Sequence, residues 1–316
     1  MNPSRLFLWV SVVAGVLALG VVVLGAYVRL SDAGLGCPDW PGCYGQLTPP
    51  AIDDPAAAAK AWKEMAHRYA ASTLGLLILV LGAIAWRRRR EVDQPLRLPA
   101  LLLPLVAMQG LLGMWTVTLL LKPLVVTLHL LGGMTILDAL WLMVLRITGW
   151  LAPKQAAPRA LRRFGWCAFV LLGLQLALGG WTSSNYAALA CPDLPTCQGV
   201  WWPEADFGAA FLHLGALDAP ARVAIHLAHR LGAASVALAL GSLALWVLIG
   251  TVCREWRLLA WAVLGALALQ LGIGVLMVAH AFPLALATLH NTGAALLLLA
   301  TTALLHSLHG HDRVRS

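Results

Sequence analysis

GAYVRLSDAGLGCPDWPGC at residues 25–43 returns, without a gap, as GGWTSSNYAALACPDLPTC at residues 179–197. Cys37 and Cys43 are matched by Cys191 and Cys197, each displaced by 154 residues. Ala66-His67-Arg68 is repeated 162 residues on as Ala228-His229-Arg230. Gln109, Gly113 and His129 return 161 residues on as Gln270, Gly274 and His290. The chain is a tandem duplication whose repeated polar residues are mostly Cys and His. That combination points to a redox or metal site in each half.

Around these repeats the chain is strongly apolar. Of its 316 residues 60% are hydrophobic and 11% charged, with a mean hydropathy of +0.79. A soluble domain of this size is not so apolar, so the composition specifies a polytopic membrane protein. A membrane helix takes about 20 mostly apolar residues. Eight stretches qualify, near 6–28, 66–86, 98–120, 124–147, 165–184, 223–250, 258–279 and 284–306. The predicted fold class is therefore all-α: eight transmembrane helices in two tandem four-helix bundles. The halves are 1–150 and 151–316, joined by a basic, Pro- and Ala-containing linker near 150–163. An even number of helices per half gives both halves one orientation, as parallel repeats about a pseudo-two-fold axis along the membrane normal. The first span is too long for a cleavable signal and is expected to stay as an anchor.

A net charge of +8 raises the question of nucleic acid, and its distribution answers it. Arg87–Arg90, Arg97, Lys154, Arg159, Arg162, Arg163, Arg254, Arg257, Arg313 and Arg315 all fall in alternate connections or after the last span, while the other connections hold most of the acids. The positive-inside rule then puts both termini in the cytoplasm. The basic surplus serves topology and attraction to anionic lipid, and no nucleic-acid partner is expected. Both cysteine pairs fall on the outer side, the periplasm in a bacterial inner membrane, where disulfides are permitted. Two outer loops, about 29–65 and 185–222, are long enough to act as lids with short helices of their own. The run 56–65 reads as helical and extends the second span outward. Cys167 and Cys253 read as inert small hydrophobes, and Trp201-Trp202 as part of an interfacial belt.

The four matched histidines carry the chemistry. His67, His129, His229 and His290 each lie near the start of an inward-running helix, so each half presents two imidazoles at one depth. Facing imidazoles inside a four-helix bundle suit axial ligation of a heme iron. The bland alternative is a histidine bonded to a carbonyl or lying at the interface, but ionisable groups within membrane helices are usually functional. Zinc and di-iron centres need three or four clustered ligands that neither half supplies. Glu64, three residues before His67, can hang over the same site, whereas its counterpart is His226. Glu64 reads either as a proton-relaying carboxylate near a heme edge or as a solvated acid paired with Lys60 or Arg68.

The remaining polar residues leave alternatives open. Each Cys-x5-Cys loop can close as a disulfide that fixes a lid. Cys191–Cys197 reads as structural, and Cys37–Cys43 stays open between structure and thiol exchange. Arg29, Arg68, Arg222 and Arg230 suit propionate partners or interface anchors. Gln109 and Gln270 suit bonds between helices. Asp138 reads as a relay acid, or more blandly as a neutral, hydrogen-bonded or paired side chain.

The run Gly34-Leu35-Gly36-Cys37-Pro38-Asp39-Trp40-Pro41-Gly42-Cys43, the Glu64-x-x-His67-Arg68 element, Cys191-Pro192 and His229-Arg230 closely resemble the heme A synthase family. The resemblance runs from the first span to the eighth. It implies oxidation of the C8 methyl of heme O to a formyl group by successive hydroxylations, giving heme A for heme-copper oxidases. It implies substrate heme O between His67 and His129 in the N-terminal half, with Glu64 close to the reacting centre. It implies a heme b cofactor on His229 and His290. Partners implied are heme O synthase, an electron donor of open identity and membrane lipid, and a homo-oligomer is compatible. One of His67 and His129 must be displaced or distant during turnover. The rival readings are a non-catalytic di-heme b electron carrier, resembling cytochrome b561 in outline, and a transporter.

Overall fold

Prolines and acidic caps set where several of the helices begin. The computed structural model describes residues 3–91, 94–151, 153, 155–212 and 217–310. Lys154, Arg313 and Arg315, which entered the charge argument above, lie outside the described residues. Helix α1 spans Pro3–Leu30, α2 Pro55–Arg87, α3 Arg97–Thr118, α4 Pro123–Thr148 and α5 Arg159–Ser184. A short α6, Phe207–Leu212, precedes α7 at Ala219–Gly250, α8 at Arg254–Ala279 and α9 at Leu284–His309. At the head of α2 the Asp54 carboxylate accepts from the backbone N–H groups of Ala56 and Ala57, ahead of Pro55. Asp218 does the same for α7 through Ala221 N–H. These are the donors a helix leaves unpaired at its first turn. Gly149 ends α4 with φ of 60°, a left-handed stop that glycine takes without strain.

Eight of these helices, all but α6, are long and apolar enough to cross a membrane. Their outward faces stay apolar: Val16, Leu76, Leu238 and Ile249 are all largely exposed. An apolar surface of that extent needs lipid around it, and the chain is an integral membrane protein. Among the described residues there is no β-strand, and the fold is all-α.

The chain divides into two units, one ending at Trp150 and the next starting at Leu151. In the first, α1 packs on α2 and α4, and α3 packs on the same two. The four close a ring in which α2 and α4 face each other across the middle. In the second, α5 packs on α7 and α9, and α8 packs on the same two. There α7 and α9 are the facing pair. Each unit has its own apolar core, with Phe7, Ile78, Leu81, Leu102 and Leu140 fully buried in one and Ile225, Leu240 and Leu243 in the other.

Each outer loop folds back on the helix that follows it. Cys37 and Cys43 pack on Ala61 and Met65 of α2. Cys191 and Cys197 pack on Val223 and Leu227 of α7, the counterparts of Ala61 and Met65 in the repeat. The helical run from residue 56 does belong to α2, so α2 begins eleven residues before the span predicted at 66. His67 therefore lies twelve residues into its helix rather than at its opening. The second loop also carries one 3-10 turn, Ala188–Ala190, besides α6.

Candidate functional site

Diagonal helices bring the histidines together in pairs. His67 of α2 and His129 of α4 have ring centroids 6.5 Å apart with planes at 77°. His229 of α7 and His290 of α9 stand 6.4 Å apart at 71°. The other diagonal pair of helices contributes glycine. A Cβ at Gly25 of α1 would come within 2.8 Å of His67 Nε2, and one at Gly113 of α3 within 3.4 Å of His129 Cε1. In the second unit the same Cβ would come within 3.4 Å of His229 Cε1 at Gly179 of α5 and within 3.2 Å of His290 Cε1 at Gly274 of α8. All four glycines belong to the repeats, and each makes room for one imidazole.

That spacing is what one metal ion between two imidazoles requires. Zinc–imidazole bonds are about 2.0–2.1 Å and those of iron of the same order, so two such bonds plus the depth of each ring put the centroids about 6.3 Å apart. His129 Nδ1 and His290 Nδ1 are buried with no hydrogen-bond partner, and orphaned buried ring nitrogens call for an explanation. Among the described residues no three His, Cys, Asp or Glu side chains cluster as a metal cage. Two imidazoles alone suit an iron that brings its other ligands with it, as heme does. The residues fit that group in both units.

The rings differ in what holds them. Gln175 of α5 sits with its Nε2 3.1 Å from His229 Nδ1 and donates to His229 O at 2.9 Å. Gln270 of α8 has its Nε2 3.2 Å from His290 Nε2. Val21 occupies the position of Gln175 in the first repeat, beside His67. Gln109, the counterpart of Gln270, leaves its Nε2 without a partner.

Glu64 is buried, at 4% exposure, and fully engaged. Its Oε2 accepts from Cys37 N–H at 2.8 Å and its Oε1 from Arg68 Nη2 at 2.5 Å. The partner foreseen among the alternatives, Arg68, is the right one, but the pair is buried rather than solvated. Arg68 also donates through Nη1 to the carbonyls of Asp39, Pro41 and Gly42. Arg230 does the same in the second unit, to Thr196 O, Cys191 O and Asp193 O. Both guanidiniums are thus latches for the lids, a role the propionate reading did not include. Gly36 explains how the first lid comes so close: a Cβ there would lie 2.5 Å from Lys60 C. The second lid has Ala190 in that place and His226 in place of Glu64. The His226 ring lies against Phe282, with centroids 6.1 Å apart.

Both cysteine pairs are disulfides, Cys37–Cys43 and Cys191–Cys197. All four cysteines are at most 1% exposed, so neither bridge is an open target for thiol exchange in this conformation. The two loops share one backbone. Asp39 accepts from Tyr44 N–H and Gly45 N–H, as Asp193 does from Gln198 N–H and Gly199 N–H. Sequence reasoning passed over Gln175, Gly25 and Gly179. A lone glutamine in an apolar span, and glycines repeated on the helices opposite repeated histidines, were the signals that could have found them.

Eight apolar helices, two disulfide lids and an imidazole pair in each unit define an integral membrane protein whose paired histidines are spaced to fit a metal. The chain belongs to the COX15-CtaA family, described as cytochrome oxidase assembly protein, whose model matches residues 7–302. It is 42% identical to a heme A synthase of Shewanella oneidensis over 92% of this chain and 93% of that one. It is 30% identical to a heme A synthase of Caulobacter sp. strain K31 over 93% of each chain. A heme A synthase of Shouchella clausii is 28% identical over 62% of this chain and 66% of its own.

Proposed function

We propose that this chain is a heme A synthase, an enzyme that oxidises the C8 methyl of heme O to a formyl group by successive hydroxylations. The observation that carries the reading is an imidazole pair at one-iron spacing in each unit, with a carboxylate, Glu64, buried one turn from the first pair. The full-length relatives named heme A synthase support it. The unit of residues 1–150 takes heme O as substrate between His67 and His129. The unit of residues 151–316 holds heme b on His229 and His290. Heme b, when bound, supplies one-electron redox chemistry.

The protein's own groups do the rest. Glycines at 25 and 113 let the helices close around the substrate pair. Glu64 takes up and returns the protons that hydroxylation moves, while Arg68 and Cys37 N–H keep its carboxylate one turn from His67. The Cys37–Cys43 lid fixes that carboxylate's position. The second unit, with His226 in place of Glu64, passes electrons. The disulfide lids face the periplasm and both termini the cytoplasm of a bacterial inner membrane, a reading the charge distribution supports. Heme O synthase supplies the substrate, a separate donor supplies electrons, membrane lipid surrounds the spans, and a homo-oligomer fits this scheme.

The near-equal spacing of the two pairs gives the di-heme carrier its one support. Reverse-phase analysis of hemes extracted from the purified protein separates the readings. The enzyme yields heme b together with heme O, a hydroxylated heme or heme A. Heme b alone would reject catalysis and leave the carrier.

A further inference from the structure

Among the described residues a glutamine hydrogen-bonds the ring of His229 and of His290, whereas His67 and His129 have no such bond; His129 shows the difference most directly. Its Nδ1 is buried and unpartnered, and so is Nε2 of the nearby Gln109. Gln175 holds His229 and Gln270 holds His290, while Val21 stands in the place of Gln175 in the first repeat. Gln109 and Gln270 are repeat counterparts, yet only Gln270 reaches its imidazole. Both lie against a glycine of the neighbouring helix, Gln109 against Gly132 and Gln270 against its counterpart Gly293.

A hydrogen bond to the second ring nitrogen fixes an axial histidine's orientation and strengthens it as a ligand, and its loss typically costs 10–100-fold in metal affinity. We infer that Gln175 and Gln270 are positioning residues that make the second pair permanent, so that the first pair, without such bonds, is the one that gives way. The inference rests on the assignment of heme O to the first unit and heme b to the second. An imidazole that gives one nitrogen to iron carries its proton on the other. The amide oxygens of Gln175 and Gln270 are buried without a partner. A half-turn of each carboxamide, giving up the Gln175 bond to His229 O in one case, lets the oxygen accept that ring proton. Neither ring of the first pair is bonded to such an amide, so its bonds to a metal are the weaker ones.

Carbon monoxide binding to the dithionite-reduced, heme-loaded protein reads this out, since it binds only where an axial ligand yields. The wild type is expected to bind it at one heme, that of the first unit, with the signal unchanged in His229→Ala. Gln270→Leu is expected to add a second carbon monoxide site at heme b, and Gln270→Glu, which keeps an acceptor, to stay like wild type. A merely structural glutamine would give no new ligand site in a protein that retains heme b by pyridine hemochrome. Gln270→Leu protein with full heme b and unchanged carbon monoxide binding would overturn the inference, as would a wild-type signal that disappears in His229→Ala while heme O remains bound. The assignment of the halves fails separately: extraction from His229→Ala would then show heme O missing and heme b retained.

Discussion

Glu64 and the four glycines show how single side chains divide the work. Glu64→Gln keeps a carbonyl oxygen for Cys37 N–H but removes the charge that faces Arg68. Heme content is expected to hold, while heme A formation falls by about 100-fold or more, the span of general acid–base contributions. Normal heme A in the extract would remove Glu64 from the chemistry. Gly25→Ala and Gly274→Ala test the other class of residue. Each Cβ meets an imidazole, at 2.8 Å from His67 Nε2 and 3.2 Å from His290 Cε1. Gly25→Ala is therefore expected to deplete heme O and Gly274→Ala heme b, with the protein still folded by size-exclusion profile. The histidines and cysteines were legible because the repeat preserved both type and spacing. Gln175 was not, because its counterpart is Val21 and repetition cannot point to a residue that occurs once. The latch role of Arg68 and Arg230 was also hidden, since their partners are backbone carbonyls that carry no sequence signature.

Lids and helix ends carry a different set of forces. Asp39 is held below its ordinary value of 3.8, first by the Gly45 N–H, against an opposing effect of burial, and then by Tyr44 N–H and the Arg68 charge. Asp193 is lowered likewise, chiefly by the Thr196 hydroxyl and then by Gly199 and Gln198 N–H groups. A carboxylate with a depressed folded pKa contributes order that is complete above the unfolded pKa and is lost as pH falls through the folded one. Both lids should therefore keep their amide protection from neutral pH down to about 4 and lose it only in stronger acid. Hydrogen exchange at Tyr44, Gly45, Gln198 and Gly199 measures this; loss already near pH 6 would assign the protection to another group. Each disulfide closes a loop with a sequence separation of 6, for which chain entropy gives about 2 kcal/mol. The apolar spans were plain from hydropathy alone. Where α2 begins was less so, because residues 55–65 are helical without being a membrane span, and what holds them is the lid packed on Ala61 and Met65.

At the scale of the molecule, duplication supplied two units with the same ring of helices, the same lid and the same imidazole spacing, and later divergence made them unequal. Each unit closes its own ring and buries its own core, so loss of a ligand in one should leave the other's pocket standing. His229→Ala is expected to empty the second unit of heme b while heme O remains bound in the first. Heme O should then accumulate unoxidised, because the electron path is cut although the substrate site is whole. His67→Ala is expected to give the mirror result, with heme b retained at its normal spectrum and heme O missing. The ratio of heme b to heme O in extracts of the two variants, each normalised to protein, decides the matter. If His229→Ala lost both hemes while remaining folded, binding in the two units would be coupled, and their division into a self-sufficient substrate unit and a self-sufficient electron-transfer unit would have to be given up.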